Sequence, residues 1–286
     1  MDPLQLVLVL AAGVLAGTVN TIVGAGTLIT FPLLVALGVS PLVANVSNTV
    51  GLVPAAVTGA WGYRRELAGQ WPVVARMAVV SAVGGILGGL LLLAAPADTF
   101  TAVVPWLLVL AAALAFAQPR VAAAVRRRAE ARAAAAAATG GAGGPAATGT
   151  ATGATDTATT GRAPSFTRPL TFGLGLGVAA TGVYGGYFGA AQGVVLLALL
   201  GMAWTTDLQR ANGAKNVLAG VANLVSALVF VIGGVVNWPI AGLIAVGSAV
   251  GGVIGARVGR RIPAPVLRVL IVVVALSAAV IIATGG

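Results

Sequence analysis

Residues 17–54 read GTVNTIVGAGTLITFPLLVALGVSPLVANVSNTVGLVP. This stretch is too apolar to face water, yet glycines, a proline and several uncharged polar residues interrupt it. Interruptions of this kind inside a lipid-soluble segment are typical of broken helices that line a small polar cavity. The second half of the chain repeats the stretch in part, so we expect two such breaks.

The composition of the whole chain is that of a membrane protein. Of its 286 residues, 59% are hydrophobic and 8% are charged, and the mean hydropathy is +1.04. A water-soluble domain carries about 25% charged residues. The net charge of +10 could indicate nucleic-acid binding, but the basic residues cluster in loops beside apolar runs, where they set membrane orientation. We therefore expect the lipid bilayer as a partner and no nucleic acid.

The apolar runs predict an all-α integral membrane protein made of two membrane repeats, residues 1–118 and 169–286. Each repeat begins with a hairpin of a helix and a shorter run, and three spans follow it. In the first repeat these segments are 4–23 with 25–38, then 42–61, 71–93 and 101–118. In the second repeat they are the hairpin 170–203, whose short run is 189–203, then 211–236, 239–256 and 266–283.

The segment between the repeats, residues 119–168, has a different composition. It passes from an Arg-rich start into an Ala/Gly/Thr tract with almost nothing large to bury. This composition predicts a flexible linker without specific function, in which a short helix over 120–138 can form.

The two membrane repeats are related by an internal duplication. Gly17 and Gly24 recur as Gly182 and Gly189, 165 residues later. Beyond a two-residue insertion the offset becomes 167. At that offset Ala44-Asn45 matches Ala211-Asn212, Trp71-Pro72 matches Trp238-Pro239, Val83-Gly84-Gly85 with Gly88 matches Val250-Gly251-Gly252 with Gly255, and Pro96 matches Pro263. The glycine patterns in both repeats predict close helix packing.

Loop charge predicts that the two repeats have opposite orientations in the membrane. The loop before Trp71 carries two arginines, whereas its counterpart before Trp238 carries no charge. The loop around Pro263 carries four arginines, whereas its counterpart around Pro96 carries only an aspartate. Positive loops face the cytoplasm, so equivalent loops face opposite sides. We therefore expect an inverted repeat with both termini outside and the linker in the cytoplasm, in the cell inner (plasma) membrane.

The polar groups of the membrane segments suit an anion. No Asp or Glu falls near a predicted bilayer centre, so carboxylate sites for protons or sodium lack their ligands. The chain has no His and no Cys, which removes the commonest metal ligands and general bases. We therefore expect no metal, no cofactor and no enzymatic activity. Short helices that start near the two glycine breaks would point their N–H groups and positive dipole ends at the midplane.

The candidate substrate-binding residues surround those breaks in both repeats. They are Asn20, Gly24, Gly26, Thr27, Asn45, Ser47, Asn48, Thr49, Gly189, Gln192, Gly193, Asn212, Lys215 and Asn216. Two interpretations are open for the asparagines and hydroxyls: they bind a ligand, or they hold neighbouring helices together. Lys215 either attracts the anion or reaches lipid phosphates as an anchor.

The run GAGTLITFPLLVALGVSPLVANVSNTVGLVPAAVTG and its weaker echo QRANGAKNVLAGVANLVSALVF resemble the sulfite exporter TauE/SafE family. The resemblance covers both repeats and excludes the linker. It implies a polytopic inner-membrane transporter, because members are linked to export of sulfite, sulfoacetate and related organic anions. The second repeat departs from the family pattern around Gly189, where Gly185-Gly186-Tyr187-Phe188 and Gln192 stand, which implies a changed substrate.

Residue chemistry and resemblance together predict a secondary transporter that exports a small sulfur-containing anion, sulfite or an organosulfonate. The alternatives are a passive anion channel and a permease for another small organic anion. An intramembrane enzyme is disfavoured by the missing general base. The sequence leaves open the substrate, the direction, the coupling ion and whether the protein forms a homo-oligomer.

Overall fold

The structure, a computed structural model, describes residues 2–140, 167 and 169–258. Over these residues it is helical, with one isolated bridge between Thr167 and Thr205 and no strand. The first repeat contains α1 (Pro3–Ile22), α2 (Thr27–Ala36), α3 (Pro41–Gly62), α4 (Trp71–Ala94) and α5 (Ala97–Gly140). The second contains α6 (Phe172–Tyr187), α7 (Gln192–Ala203), α8 (Leu208–Ile232) and α9 (Trp238–Val258). The all-α prediction is confirmed, and the predicted span 266–283 lies outside the described residues.

Six helices of the described part are long and apolar enough to cross a membrane, namely α1, α3, α4, α5 as far as Arg128, α8, and α9 as far as Arg257. By contrast, α2 and α7 have 10 and 12 residues. At 1.5 Å per residue they are about 15–18 Å long, roughly half of a bilayer's hydrocarbon core. The predicted short runs are therefore half-length helices. The two additional residues of α7 account for the insertion in the repeat.

Local sequence signals explain where the helices start. At α1, the Asp2 carboxylate accepts a hydrogen bond from the Gln5 N–H at 2.8 Å, and the Gln5 side chain accepts one from the Asp2 N–H. This reciprocal pair is a capping box. At α8, the Asp207 carboxylate accepts from the N–H groups of Gln209 and Arg210. In α4 and α9 a Trp-Pro pair opens the helix, with proline where no donor is needed.

The two glycine breaks lie at equivalent positions and share one backbone conformation. Gly24 has φ +83° and Gly189 has φ +74°. Residues with a Cβ rarely adopt this left-handed conformation, so glycine ends α1 and α6 and turns the chain into the next half-length helix. The break predicted from the glycine pattern is confirmed in both repeats.

The packing of the helices follows the repeat and is swapped between the halves. Helix α1 packs on α9 of the second repeat, and its equivalent α6 packs on α4 of the first. In the same way α3 packs on α9 and α8 packs on α4, while α3 and α8 meet each other. Each half therefore completes its packing against the other half.

The glycine patterns form these swapped contacts. A methyl group on Gly85 would lie 2.7 Å from the Ala222 carbonyl oxygen, and one on Gly252 would lie 2.9 Å from that of Ala55. Ala55 and Ala222 are themselves equivalent in the repeat. At both equivalent contacts the facing backbone leaves no room for a side chain. The predicted role of these glycines in close helix packing is therefore confirmed.

Helix α5 continues past residue 119, where the sequence predicted the start of a linker, and reaches Gly140. Its extension is exposed at Arg126 and Glu130, whose charged groups lie 3.7 Å apart. Val125, however, is buried and contacts α7, where its Cβ lies 3.1 Å from the position of a methyl group on Gly201. The first part of the predicted linker therefore extends a membrane helix and supports a half-length helix.

Candidate functional site

The first glycine break, at Gly24, contacts the start of α7, which follows the second break at Gly189. We call this contact of Gly24 with Gly193 the crossing of the two breaks. The Gly193 N–H in the first turn of α7 donates to the Gly24 carbonyl oxygen at 3.1 Å. A methyl group on either glycine would overlap the Cα of the other. Neither α2 nor α7 has a side-chain cap at its start. The candidate residues Gly24 and Gly193 are therefore brought together as a direct backbone contact between the repeats.

A buried hydrogen-bonded group fixes the start of α2 to α3. The Asn48 Nδ2 donates to the Thr27 Oγ1 at 3.1 Å, and the Thr30 Oγ1 donates to the Asn48 Oδ1. All three side chains are buried. Asn48 and Thr27 were predicted as site residues, and here they hold a half-length helix to a full span.

Lys215 on α8 lies inside the protein and reaches the broken end of α1. Its side chain is 1% exposed, so it does not extend to the membrane surface. Its Nζ donates to the Thr21 carbonyl at 3.1 Å, with the carbonyls of Ile22 and Asn20 at 3.4 and 3.5 Å. On the way it crosses α7, where its Cδ lies 3.1 Å from the position of a methyl group on Gly193. An ammonium at the carbonyl end of a helix is favoured by the helix dipole.

Asn216, next to Lys215, binds the same helix end. Its Nδ2 donates to the Thr21 carbonyl at 3.3 Å. The absence of a side chain at Gly59 leaves room for this contact, since a methyl group there would lie 3.5 Å from the Asn216 Cγ and 3.0 Å from the Thr21 hydroxyl. Two neighbouring residues of the second repeat thus bind the last carbonyls of α1 in the first.

Asn45 and Asn212, which are equivalent in the repeat, both keep a buried oxygen without a partner. Asn45 donates through Nδ2 to the Tyr187 carbonyl at the end of α6, at 3.0 Å. Its Oδ1, the Asn212 Oδ1 and the Thr21 Oγ1 are buried without a hydrogen-bond partner. Unsatisfied buried polar atoms are uncommon in folded proteins, so these three oxygens keep the capacity to accept a further hydrogen bond.

Gln192 opens α7 and packs flat against α6. Its Nε2 donates to the Thr181 carbonyl at 3.2 Å, and a methyl group on Gly185 would overlap its amide. Across the second break the Tyr184 hydroxyl donates to the Ala190 carbonyl at 2.6 Å. Gln192, Gly185 and Tyr184 therefore build the local structure of this break around Gly189.

Ser47 and Thr49 lie on α3, and their hydroxyls are used in the protein frame. The Ser47 Oγ accepts from the Asn237 N–H before α9 at 3.0 Å, and the Thr49 Oγ1 donates to the Asn45 carbonyl at 2.9 Å. The first contact joins α3 to the segment before α9, and the second lies within α3. Of the remaining predicted residues, Asn20 and Gly26 face each other, with the Asn20 Cβ 2.9 Å from the position of a methyl group on Gly26.

Sequence reasoning missed several polar residues of this centre, namely Thr21, Thr30, Thr181 and Tyr184. Thr30 could have been found, because it follows Thr27 by three residues and shares its helix face. Thr21 and Thr181 contribute backbone carbonyls, which depend on where the helices end and carry no residue signal.

Lys215 dominates the electrostatics of this centre. Among the described residues it is the only charged side chain that is buried. The charged residues nearest to it on α8, Asp207 and Arg210, lie at the start of the helix, and the Arg210 Nε donates to the Glu66 carbonyl at 3.2 Å. In the described part of the chain, no three His, Cys, Asp or Glu side chains lie close enough together to hold a metal ion.

The described chain combines spanning helices with two half-length helices, and the break before α2 contacts the start of α7. Buried polar side chains lie between the two repeats. These features define a polytopic membrane protein of the transporter class. The model of the family described as sulfite exporter TauE/SafE matches residues 9–282. The chain belongs to this family, as the resemblance implied, and the family consists of membrane transporters of sulfite or sulfonate type rather than enzymes. Comparisons with curated proteins and with solved structures gave no match.

Proposed function

We propose that the protein is a secondary transporter that exports a small sulfur-containing anion, sulfite or an organosulfonate. The observation that carries this proposal is the buried side chain of Lys215, whose amino group lies at the end of α1 beside the crossing of the two breaks. A cation enclosed in protein at membrane depth is costly, and such residues are usually functional. Its present acceptors are carbonyl dipoles. An anion would bind the ammonium more strongly than these carbonyls do, because it carries a full charge.

The groups around Lys215 suit an oxyanion. Asn212 lies one turn before Lys215 on α8 and Asn216 directly after it, so amide groups flank the ammonium. The starts of α2 and α7 lack side-chain caps, and helix starts favour anions. The unpartnered oxygens of Thr21 and Asn212 add acceptors for a substrate that carries its own hydrogen-bond donor, such as a hydroxyl or ammonium group.

The direct contact of the two breaks favours a transporter over a permanently open channel. Gly24 and Gly193 touch through their backbones, so passage at this level requires the two repeats to separate. We propose that they do so by movement of one repeat against the other. The repeats would have inverted orientations, as loop charge indicates, with the linker in the cytoplasm and the protein in the inner membrane.

Proteoliposomes that contain the purified protein provide the test. Uptake of labelled sulfite, sulfate, thiosulfate and taurine is measured against concentration, with empty liposomes as the baseline. We expect saturable uptake of at least one of the four and competition by its unlabelled form. Flux that rises with the gradient without saturation would instead indicate a channel, and background flux for all four would contradict the proposal.

Variants of Lys215 test the site itself. We expect Lys215→Gln to raise the apparent substrate constant at unchanged protein level, because it removes the charge. Lys215→Arg keeps the charge with altered geometry and should retain part of the activity. Arg76→Gln serves as the control, since it removes the same charge from an exposed position on α4 outside the site. If the parent and Lys215→Gln transport alike, Lys215 serves only to hold α1 in place.

A further inference from the structure

We infer that the site selects anions with a single negative charge, and that Lys215 sets this preference by matching one charge only. The inference rests on the proposed anion transport and names its substrate class. An anion placed beside the ammonium gives a neutral pair, whereas a dianion leaves one negative charge in an apolar surrounding. Uncompensated charges are strongly disfavoured there.

The two repeats differ at this position, which limits the site to one charge. The residue equivalent to Lys215 in the first repeat is Asn48, 167 residues earlier. Asn48 is neutral, and its amide is engaged by Thr27 and Thr30. The duplication therefore supplies two polar helices but one cation. A dianion site would be expected to carry a second cation or a denser set of donors.

Among residues 2–140 and 169–258, the groups that contact Lys215 include no other charge that could balance a dianion. The helix ends that approach it are α1, through the carbonyls of Asn20, Thr21 and Ile22, and α7, through Gly193. None of these four residues carries a charge. Arg210, five residues earlier on α8, is partly buried at the start of the helix and donates to the Glu66 carbonyl.

The unpartnered atoms around the ammonium are acceptors rather than cations. The Asn212 Oδ1 and the Thr21 Oγ1 are buried without a hydrogen-bond partner, one on the helix of Lys215 and one on the helix that it binds. The Asn212 Oδ1 can only accept, so an additional negative charge facing it would be unfavourable, whereas the Thr21 hydroxyl can accept or donate. The hydroxyl of a singly charged sulfonate could donate to either oxygen. The polar surroundings therefore favour a monoanion that has a donor group.

The test compares two sulfonates of similar size that differ in charge. Isethionate carries one negative charge and a hydroxyl, and sulfoacetate carries two negative charges. Each is measured by counterflow, in which labelled anion enters proteoliposomes preloaded with the same unlabelled anion, so that neither the direction nor the coupling ion needs to be known. We expect the unaltered protein to transport isethionate at least about tenfold better than sulfoacetate, as kcat/KM, where tenfold corresponds to about 1.4 kcal/mol.

Charge variants assign the preference to Lys215. We expect Lys215→Gln to reduce the preference and Lys215→Arg to keep it, whatever happens to the absolute rate. Arg76→Gln removes the same charge from an exposed position on α4 and should leave the preference unchanged. Equal transport of the two sulfonates by the unaltered protein overturns the inference but not anion transport. If neither sulfonate nor any anion of the panel above is transported, both the inference and the proposed anion transport are overturned. If Lys215→Gln keeps the preference for isethionate, Lys215 does not set it.

Discussion

Replacing glycine by alanine at the crossing of the two breaks should destabilise the protein, and the chain offers a way to separate the causes. Gly24 has φ +83°, and a methyl group there would overlap the Cα of Gly193. Gly38 has almost the same φ, +84°, with nothing within 4 Å. Gly193 lacks a positive φ, but a methyl group on it would overlap the Cα of Gly24. The three positions thus represent backbone strain with overlap, strain alone and overlap alone.

The expected losses of unfolding free energy follow from these geometries. Gly38→Ala should cost about 1–2 kcal/mol, the price of a left-handed residue with a Cβ. Gly193→Ala should cost about 1–3 kcal/mol through overpacking. Gly24→Ala combines both and should cost about 2–5 kcal/mol. Equilibrium unfolding in mixed detergent micelles measures all three. If Gly24→Ala is no more destabilising than Gly38→Ala, the breaks do not pack against each other and the described crossing is incorrect.

Three further predictions concern the frame around the site. Reporter fusions at Gly144 and Gly286 should score on opposite sides of the membrane, and matching scores would contradict the inverted repeat. Deletion of residues 141–160 should leave insertion and flux nearly unchanged, because their composition cannot form a packed unit; a large loss of flux at normal expression would give them a role. Gly201→Leu should destabilise the protein by about 1–3 kcal/mol through overlap with Val125, and unaltered unfolding would mean that α5 does not support α7.

The helices and the duplication could be predicted from the sequence because both depend on local signals. Glycines at equivalent positions predicted the breaks, and Gly24 and Gly189 indeed share a left-handed backbone. Apolar runs predicted α1, α3, α4, α8 and α9 to within a few residues, and the predicted span 266–283 lies outside the described residues. The end of α5 could not be predicted in this way, since alanine and arginine favour a helix as much as a linker. Only the contact of Val125 with Gly201 shows that the extension packs.

The site was harder to predict because its main contacts are made by backbone atoms across the repeats. The sequence indicated Lys215 but not its acceptors, which are carbonyls at the end of α1. It also gave Ser47 and Asn48 equal weight, although Ser47 binds the start of α9 and Asn48 the start of α2. Neighbours on a helix point in different directions, and the identity of the facing helix decides what each contacts. The substrate-binding role of all these residues stays a prediction.

The swapped packing of the two repeats also determines the order in which the protein can be assembled. The ribosome completes α1 long before α9, the helix on which α1 packs, has been made. Until then the narrow glycine face of α1 meets lipid, which fills it without the penalty that water would impose. Insertion and full assembly are therefore separate events, and the first repeat alone should insert with only its own contacts formed, such as those of α3 with α1 and α2. We expect residues 141–160 to join the repeats without packing against them, so two fragments divided within this segment and made in the same cell should assemble into the complete transporter.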